Sequence, residues 1–218
     1  MDGHKAEIEW RDSVPVSRQF SDPYYSLDDG LAETRHVFLD GNDLPQRFRP
    51  GFVIAELGFG TGLNAASALA SWRRAGVDGP LTFVSFEAFP LSSAAMVKAL
   101  GAFPELAPEA ASVLSALRGD RQVDLNLRVI LGDVNETLRG WTGAADAWFL
   151  DGFSPDRNPA MWGPDLLAEA ATHTAEGGTA ATYSAAGHVR RGLESAGFLV
   201  ERSPGFGRKR HMTRARLR

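Results

Sequence analysis

The chain has 218 residues, of which 44% are apolar and 23% charged, and it contains no cysteine. That composition fits one folded domain with a core that needs no staples, and it excludes global disorder, disulfides, Cys-ligated metals and a cysteine nucleophile. The net charge of −4 hides an asymmetry: His188–Arg218 carries nine Lys and Arg against Glu194 and Glu201, a net +7, which leaves −11 on residues 1–187. A basic end on an acidic body suggests a localised anionic partner, and the alternative is a solvated tail. No run of about 18 apolar residues is present, so no membrane span is expected. The polar start MDGHKAEIEW lacks the apolar core of a signal peptide. A cytoplasmic location is expected.

Residues 1–50 are rich in turn formers, with Asp22-Pro23 and Asp28-Asp29-Gly30 as breaks. They are expected to form an extension packed on a main domain of residues 51–218. Two short extended pieces are predicted in the extension, at Ala6–Trp10 and His36–Leu39. The pattern then becomes regular. Phe52–Leu57 reads as a buried strand and Leu63–Arg74 as a helix. Leu81–Phe86 is the next strand, followed by helices at Ser92–Leu100 and Ala107–Leu117. Strands are predicted at Leu127–Leu131 and Asp146–Leu150, then a helix over Pro164–Thr174 with Pro164 at its first position. Gly178–Tyr183 is a strand, His188–Ala196 a helix stopped by Gly197, and Phe198–Arg202 a strand, with one more within Phe206–Leu217. Strands alternating with helices imply an α/β fold with a mostly parallel sheet and helices on both faces. Such sheets bind ligands at the carboxyl ends of their strands.

Chemistry is therefore sought just after the strands. Glu56-Leu57-Gly58-Phe59-Gly60-Thr61-Gly62-Leu63-Asn64 places three alternating glycines between a strand and a helix. The spacing G-x-G-x-G is neither the dinucleotide fingerprint nor a phosphate loop with its lysine. Glu56 before the glycines would repel a pyrophosphate and attract a cation, which suits S-adenosylmethionine better than a dinucleotide. Glu87 ends the second strand, where a carboxylate can accept both ribose hydroxyls. Asp133 follows the third strand and could receive an adenine amino group, although Gly132-Asp133 is also a common turn. Asp151 follows the fourth strand in Phe149-Leu150-Asp151-Gly152-Phe153-Ser154-Pro155, and Asn158-Pro159-Ala160-Met161-Trp162 comes next. Carboxylate, aromatic and proline together resemble a methyl-acceptor pocket; the alternative is a loop cap at Asp151.

These motifs resemble the methyltransferase domain of the bacterial tRNA 5-methylaminomethyl-2-thiouridine biosynthesis family. The resemblance runs from SRQFSDPYYSLDDGLAET (residues 17–34) through ELGFGTGLN, FLDGFSP and NPAMW to GFGRKR (Gly205–Arg210). It implies a class I S-adenosylmethionine-dependent methyltransferase that methylates the 5-aminomethyl group of the wobble (2-thio)uridine. By position it implies that Gly58, Gly60 and Gly62 line the methionine part of the cofactor, with Glu87 at the ribose and Asp133 at the adenine. Asp151 is implied as the catalytic carboxylate, with Phe153 beside the acceptor. Ala88 and His211 depart from the usual pattern, and the chain ends at Arg218, so the flavin-dependent oxidase of bifunctional relatives, and its FAD, are not expected.

Methyl transfer to nitrogen needs a neutral amine. Asp151 is expected to orient it and take its proton, within walls of Phe153, Tyr183 and Trp162 that limit hydration. Tyr24 could close over the cofactor, and Asn64 completes the expected cofactor contacts. Arg190, Arg191, Arg208, Lys209 and Arg210 are expected to meet the phosphates of a tRNA anticodon stem-loop. A separate enzyme would supply the aminomethyl group. His4, His36, His173, His188 and His211 show no ligand spacing, so no metal is expected. A methyltransferase acting on a small amine and a non-catalytic RNA-binding relative are the competing readings.

Overall fold

The computed structural model describes residues 5–218. Residues 1–4, including His4 and the start of the expected extension, lie outside the described residues. A central sheet is built from β4 (Val53–Leu57), β5 (Leu81–Glu87), β6 (Leu125–Leu131), β7 (Ala145–Leu150), β8 (Thr174–Thr182), β9 (Phe198–Pro204) and β10 (His211–Leu217). Its order is β6-β5-β4-β7-β8-β10-β9. β4 pairs in parallel with β5 and with β7, and β5 with β6. β10 alone reverses, running antiparallel to both β8 and β9. The helices α2 (Leu63–Ala75), α3 (Ser93–Leu100), α4 (Ala107–Leu117), α6 (Pro164–Thr172) and α7 (Gly187–Ser195) connect the strands.

The chain leaves β4 for β5 on one side, while β7 pairs on the other. The order of connection therefore reverses between β4 and β7, and a crevice opens at their carboxyl ends. Ile54, Ala55, Glu56 and Leu57 of β4 and all of β7 are buried, because helices cover both faces. One core cluster holds Phe38, Ile54, Leu63, Leu69, Phe83 and Phe149; the other holds Leu57, Phe86, Trp148, Leu166, Val189 and Phe198.

The N-terminal fifty residues differ most from expectation. The strand sought at Ala6–Trp10 is found as β1 (Ile8–Arg11), which forms a small antiparallel sheet with β2 (Val14–Ser17) and β3 (Asp22–Pro23). The extended piece expected at His36–Leu39 is helical instead. Asp29 caps α1 (Gly30–Thr34) by accepting from the Ala32 amide, and the chain continues in wider turns over Arg35–Leu39. The apolar run Val37-Phe38-Leu39 reads locally as a strand. It becomes helical because all three side chains are buried, with Phe38 stacked on Phe149 at 5.3 Å. Asn42 ends the segment, donating to the carbonyls of Phe38 and Trp148. Val14, Tyr25, Leu31 and Val37 share one core cluster with the main sheet, so this segment is part of the body that shapes the crevice.

Candidate active site

The crevice is a cavity of about 760 Å³ at the carboxyl ends of β4, β5, β6 and β7. Its wall includes Gly58, Gly60, Asn64, Glu87, Asp133, Asp151, Phe153 and Tyr183, and on the far side Asp22, Tyr24, Glu33, Arg208 and Lys209. Residues distant in the chain thus converge because four parallel strands end at one level.

The loop after β4 brings the backbone unusually close to β7. Gly58 has φ +90°, and a Cβ there would lie 2.6 Å from the Asp151 carbonyl oxygen, so no side chain fits. Gly60 has φ +52°, and a Cβ there would meet the Tyr24 ring at 3.0 Å. The loop is held by Glu87, which accepts from the Gly60 amide at 2.9 Å and from the Phe89 amide at 2.7 Å. Asp133 caps α5 (Val134–Thr137), accepting from the Asn135 amide at 2.9 Å, while lining the same cavity. A glycine cradle beside carboxylates at the ends of β5 and β6 fits a nucleoside bearing a cationic methionine arm. The space a Cβ would fill at Gly60 is the observation behind that fit.

Asp151 stands at the end of β7 and receives a hydrogen bond from Asn64 Nδ2 at 2.6 Å. The same Asn64 nitrogen donates to Glu56 Oε1 at 2.8 Å, and Thr34 Oγ1 donates to Asn64 Oδ1 at 3.0 Å. Ser85 Oγ donates to the other Glu56 oxygen at 2.7 Å. Asn64 is therefore fixed by Thr34 and Glu56 and in turn aims Asp151. Glu56 was expected to face a cationic ligand directly. It is instead wholly buried beneath the loop and outside the cavity wall, reaching the site through Asn64.

Desolvation dominates the electrostatics here. Burial lifts the Asp151 carboxyl from 3.8 to about 7, against the Asn64 hydrogen bond; Glu33 raises it further and Lys209 lowers it. Glu56 is pushed well above the ordinary carboxyl range, first by burial and then by the charge of Asp151. The Tyr183 phenol is also raised, by burial and then by Asp151, and donates to the Gly152 carbonyl at 2.7 Å. A carboxyl that titrates near neutrality can accept a proton at physiological pH and return it.

The aromatic wall has identifiable supports. Phe153 stacks on Phe20 at 4.8 Å and meets Tyr24 edge-on at 5.1 Å. Trp162 is buried, and its Nε1 donates to the Phe153 carbonyl at 2.8 Å, fixing the turn rather than facing a ligand. Asp22 accepts from the Ser154 amide at 2.8 Å, tying the N-terminal segment to the loop after Asp151. Tyr24 does lie over the glycine loop, and its phenol is raised by burial and then by Glu87.

The basic residues divide. Arg208, Lys209 and Arg210 occupy the turn between β9 and β10 and are exposed. Arg208 and Lys209 line the cavity, and Lys209 folds onto its wall, 2.7 Å from Glu33 Oε1 and 3.9 Å from the centroid of the Tyr183 ring. Arg190, Arg202 and Arg210 surround His211, whose imidazole is pulled below its usual range by desolvation and then by Arg202 and Arg210. Asp22, Glu33 and Phe20 were not singled out in the sequence. They come from irregular or very short elements with no periodicity, and only the SRQFSDPYYSLDDGLAET resemblance touched them. Among the described residues no cluster of three or more His, Asp or Glu could hold a metal ion, and no helix is long and apolar enough to cross a membrane.

A family described as S-adenosyl-L-methionine-dependent methyltransferase matches residues 105–218. The chain is 50% identical over 220 residues to the tRNA 5-methylaminomethyl-2-thiouridine biosynthesis bifunctional protein MnmC of Caulobacter vibrioides, which covers 94% of this chain and 37% of that protein. It is 44% identical over 224 residues to the protein of the same name from Chromohalobacter salexigens, covering 94% and 32%. The chain thus spans about a third of the length of these curated relatives. A crystal structure of MnmC2 from Aquifex aeolicus is similar to it with a TM-score of 0.80 at 26% identity, over 100% of this chain and 72% of that one. A methyltransferase from Pyrococcus furiosus shares the fold, with a TM-score of 0.51 at 16% identity over 97% and 88% of the two chains.

Proposed function

The chain belongs to the S-adenosyl-L-methionine-dependent methyltransferase family, and from that premise we propose that it N-methylates the 5-aminomethyl group of the wobble (2-thio)uridine in tRNA. The observation that carries this reading is Asp151: a carboxyl titrating near neutrality, at the end of β7, inside an aromatic-walled cavity next to the glycine loop. The names of relatives up to 50% identical support the choice of acceptor.

When bound, S-adenosylmethionine supplies an electrophilic methyl on a cationic sulfur. Gly58 and Gly60 line the space offered to its methionine arm, whereas Gly62, expected beside them, lies off the cavity wall and faces Phe59 and Val113 instead; Glu87 is offered to the ribose hydroxyls, and Asp133 to the adenine edge. Asp151 accepts a hydrogen bond from the acceptor amine and takes its proton, so that the nitrogen lone pair is free for attack. Phe153, Tyr24 and Phe20 exclude water from that exchange, which favours the neutral amine over the ammonium. Asn64 holds the carboxyl of Asp151 in place, so the amine meets the methyl in line. Arg208 lines the mouth, Arg210 is exposed on the same β9–β10 turn, and with Arg190 and Arg191 of α7 they are assigned to phosphates of the anticodon stem-loop. The target base is taken out of its stack into the cavity, at low cost in a loop. The aminomethyl group itself comes from another active site, and the reaction takes place in the cytoplasm.

The test is incubation with isotopically labelled S-adenosylmethionine and tRNA bearing 5-aminomethyl-2-thiouridine, followed by nucleoside mass spectrometry. Conversion to the 5-methylaminomethyl nucleoside is expected. Label appearing in small amines but not in tRNA would overturn the reading.

A further inference from the structure

Three carboxylates, Asp22, Glu33 and Asp151, line the acceptor end of the cavity. All three favour an incoming amine as its ammonium, which has no lone pair and cannot attack a methyl group. Arg208 and Lys209 both line the same cavity, and Lys209 is the one paired with a carboxylate there. Lys209 sits on the β9–β10 turn, whose backbone is fixed by the Lys209 amide donating to the Phe206 carbonyl at 3.0 Å and the Gly205 amide to the Arg210 carbonyl at 3.2 Å. A Cβ on Gly205 would lie 2.1 Å from the Lys209 carbonyl oxygen, so this turn admits no side chain there. From it the Lys209 side chain folds back into the mouth of the cavity. Its ammonium lies 2.7 Å from Glu33 and 3.9 Å from the centre of the Tyr183 ring. Arg208 and Arg210, on either side of it, remain exposed.

We propose that Lys209 is a positioning residue of the acceptor subsite, whose ammonium, braced by Glu33 and the face of Tyr183, holds Asp151 in its basic form and the incoming amine in its neutral form. The proposal rests on the methyl-acceptor reading of this cavity and changes the role of Lys209 from the phosphate contact its place in a basic run suggests. A phosphate contact needs a free ammonium pointing outward, whereas this one is already paired with Glu33 and packed on an aromatic face. The charged and titratable groups facing Asp151 are Glu56 from β4, Asp22 from β3, Glu33 from α1, Tyr183 after β8, and Lys209 from the turn. Among them Lys209 opposes the carboxylates, and it does so twice. It attracts the Asp151 anion, and it neutralises Glu33, which would otherwise stand as a third bare carboxylate beside the amine.

Without the ammonium, Asp151 and the acceptor amine both hold their protons to higher pH, so the rising limb of activity moves up. The effect is expected at about 0.5–1 pH unit, less than the shift from a fully desolvated contact, because Lys209 is half exposed. The experiment measures the Asp151 carboxyl titration by carbon NMR in the free protein, for the wild type, Lys209→Met and Lys209→Arg. It is paired with single-turnover rates against pH and with tRNA affinity against salt. An upward shift in Lys209→Met, restored in Lys209→Arg, with the rate limb following and the salt slope of tRNA binding unchanged, is the expected result. An unmoved titration together with weaker, less salt-dependent tRNA binding would make Lys209 a phosphate contact and overturn the proposal. Failure of the wild type to methylate aminomethyl tRNA would count against the functional reading alone, since the titration needs no substrate.

Discussion

Replacing Asp151 with asparagine should make the protein more stable than the wild type by an amount that grows as pH rises from about 4 to about 7. The carboxyl titrates at about 7 when folded and near 3.8 when free, because burial disfavours its charge. A group whose acidity is weakened by folding adds stability below its unfolded pKa, and that stability is lost as pH rises through the folded value. A rise of about three units corresponds to ~4 kcal/mol across the whole interval. Asparagine carries no charge at any pH, keeps the size, and can still accept from Asn64. Removing the Asp151 charge also relieves Glu56, which works in the same direction. The stability of Asp151→Asn relative to wild type should therefore grow by about 2–3 kcal/mol between roughly pH 5 and pH 8.5. Urea unfolding at the two pH values, with slopes compared to confirm that the unfolding reaction is the same, measures it. A difference that does not change with pH would refute the burial argument, and with it the reason for treating Asp151 as a base.

Other consequences follow from the loop and the mouth. Gly58→Ala should cost stability by about 2–4 kcal/mol and abolish cofactor binding, because its Cβ would strike the Asp151 backbone in a left-handed conformation; calorimetric binding equal to wild type would contradict this. Gly60→Ala should bind the cofactor more weakly and lose only about 1 kcal/mol of stability, from its left-handed backbone, because the obstacle to its Cβ is the movable Tyr24 ring; chemical denaturation and calorimetry separate the two variants. Asn64→Ala removes the hydrogen bond that restrains the Asp151 titration, so the acid limb of the rate profile should move to higher pH; an unmoved limb would remove Asn64 from the site. Arg208→Glu combined with Arg210→Glu should weaken tRNA binding and reduce its salt dependence while leaving cofactor affinity unchanged, as read by filter binding over a salt series.

The main sheet was legible because its signals are local. Phe52–Leu57, Leu81–Phe86 and Asp146–Leu150 are apolar runs bounded by turn residues, and they form strands within a residue or two of the expected limits. The strand-end rule then collected Gly58, Glu87, Asp133 and Asp151 around one cavity. The N-terminal segment was harder to read. Val37-Phe38-Leu39 has the composition of a strand and becomes helical only because the core of β7 and β8 surrounds it, a contact across more than a hundred residues. Asp22 and Glu33 reach the cavity from a two-residue strand and a five-residue helix, too short to have a period. The basic run Arg208-Lys209-Arg210 could be read as charge. Which member folds onto the cavity wall depends on the fold of the β9–β10 turn and on a partner 176 residues away.

The measurement closest to the central claim is the single-turnover rate of methyl transfer to 5-aminomethyl tRNA by Asp151→Asn, made at saturating S-adenosylmethionine and tRNA. The variant keeps the shape of the site but loses the basicity that accepts the amine proton. Its rate should fall by about 10²–10⁴, the range for a positioned acid–base group, with tRNA affinity nearly unchanged. A folded Asp151→Asn protein that methylates tRNA at nearly the wild-type rate would contradict the account.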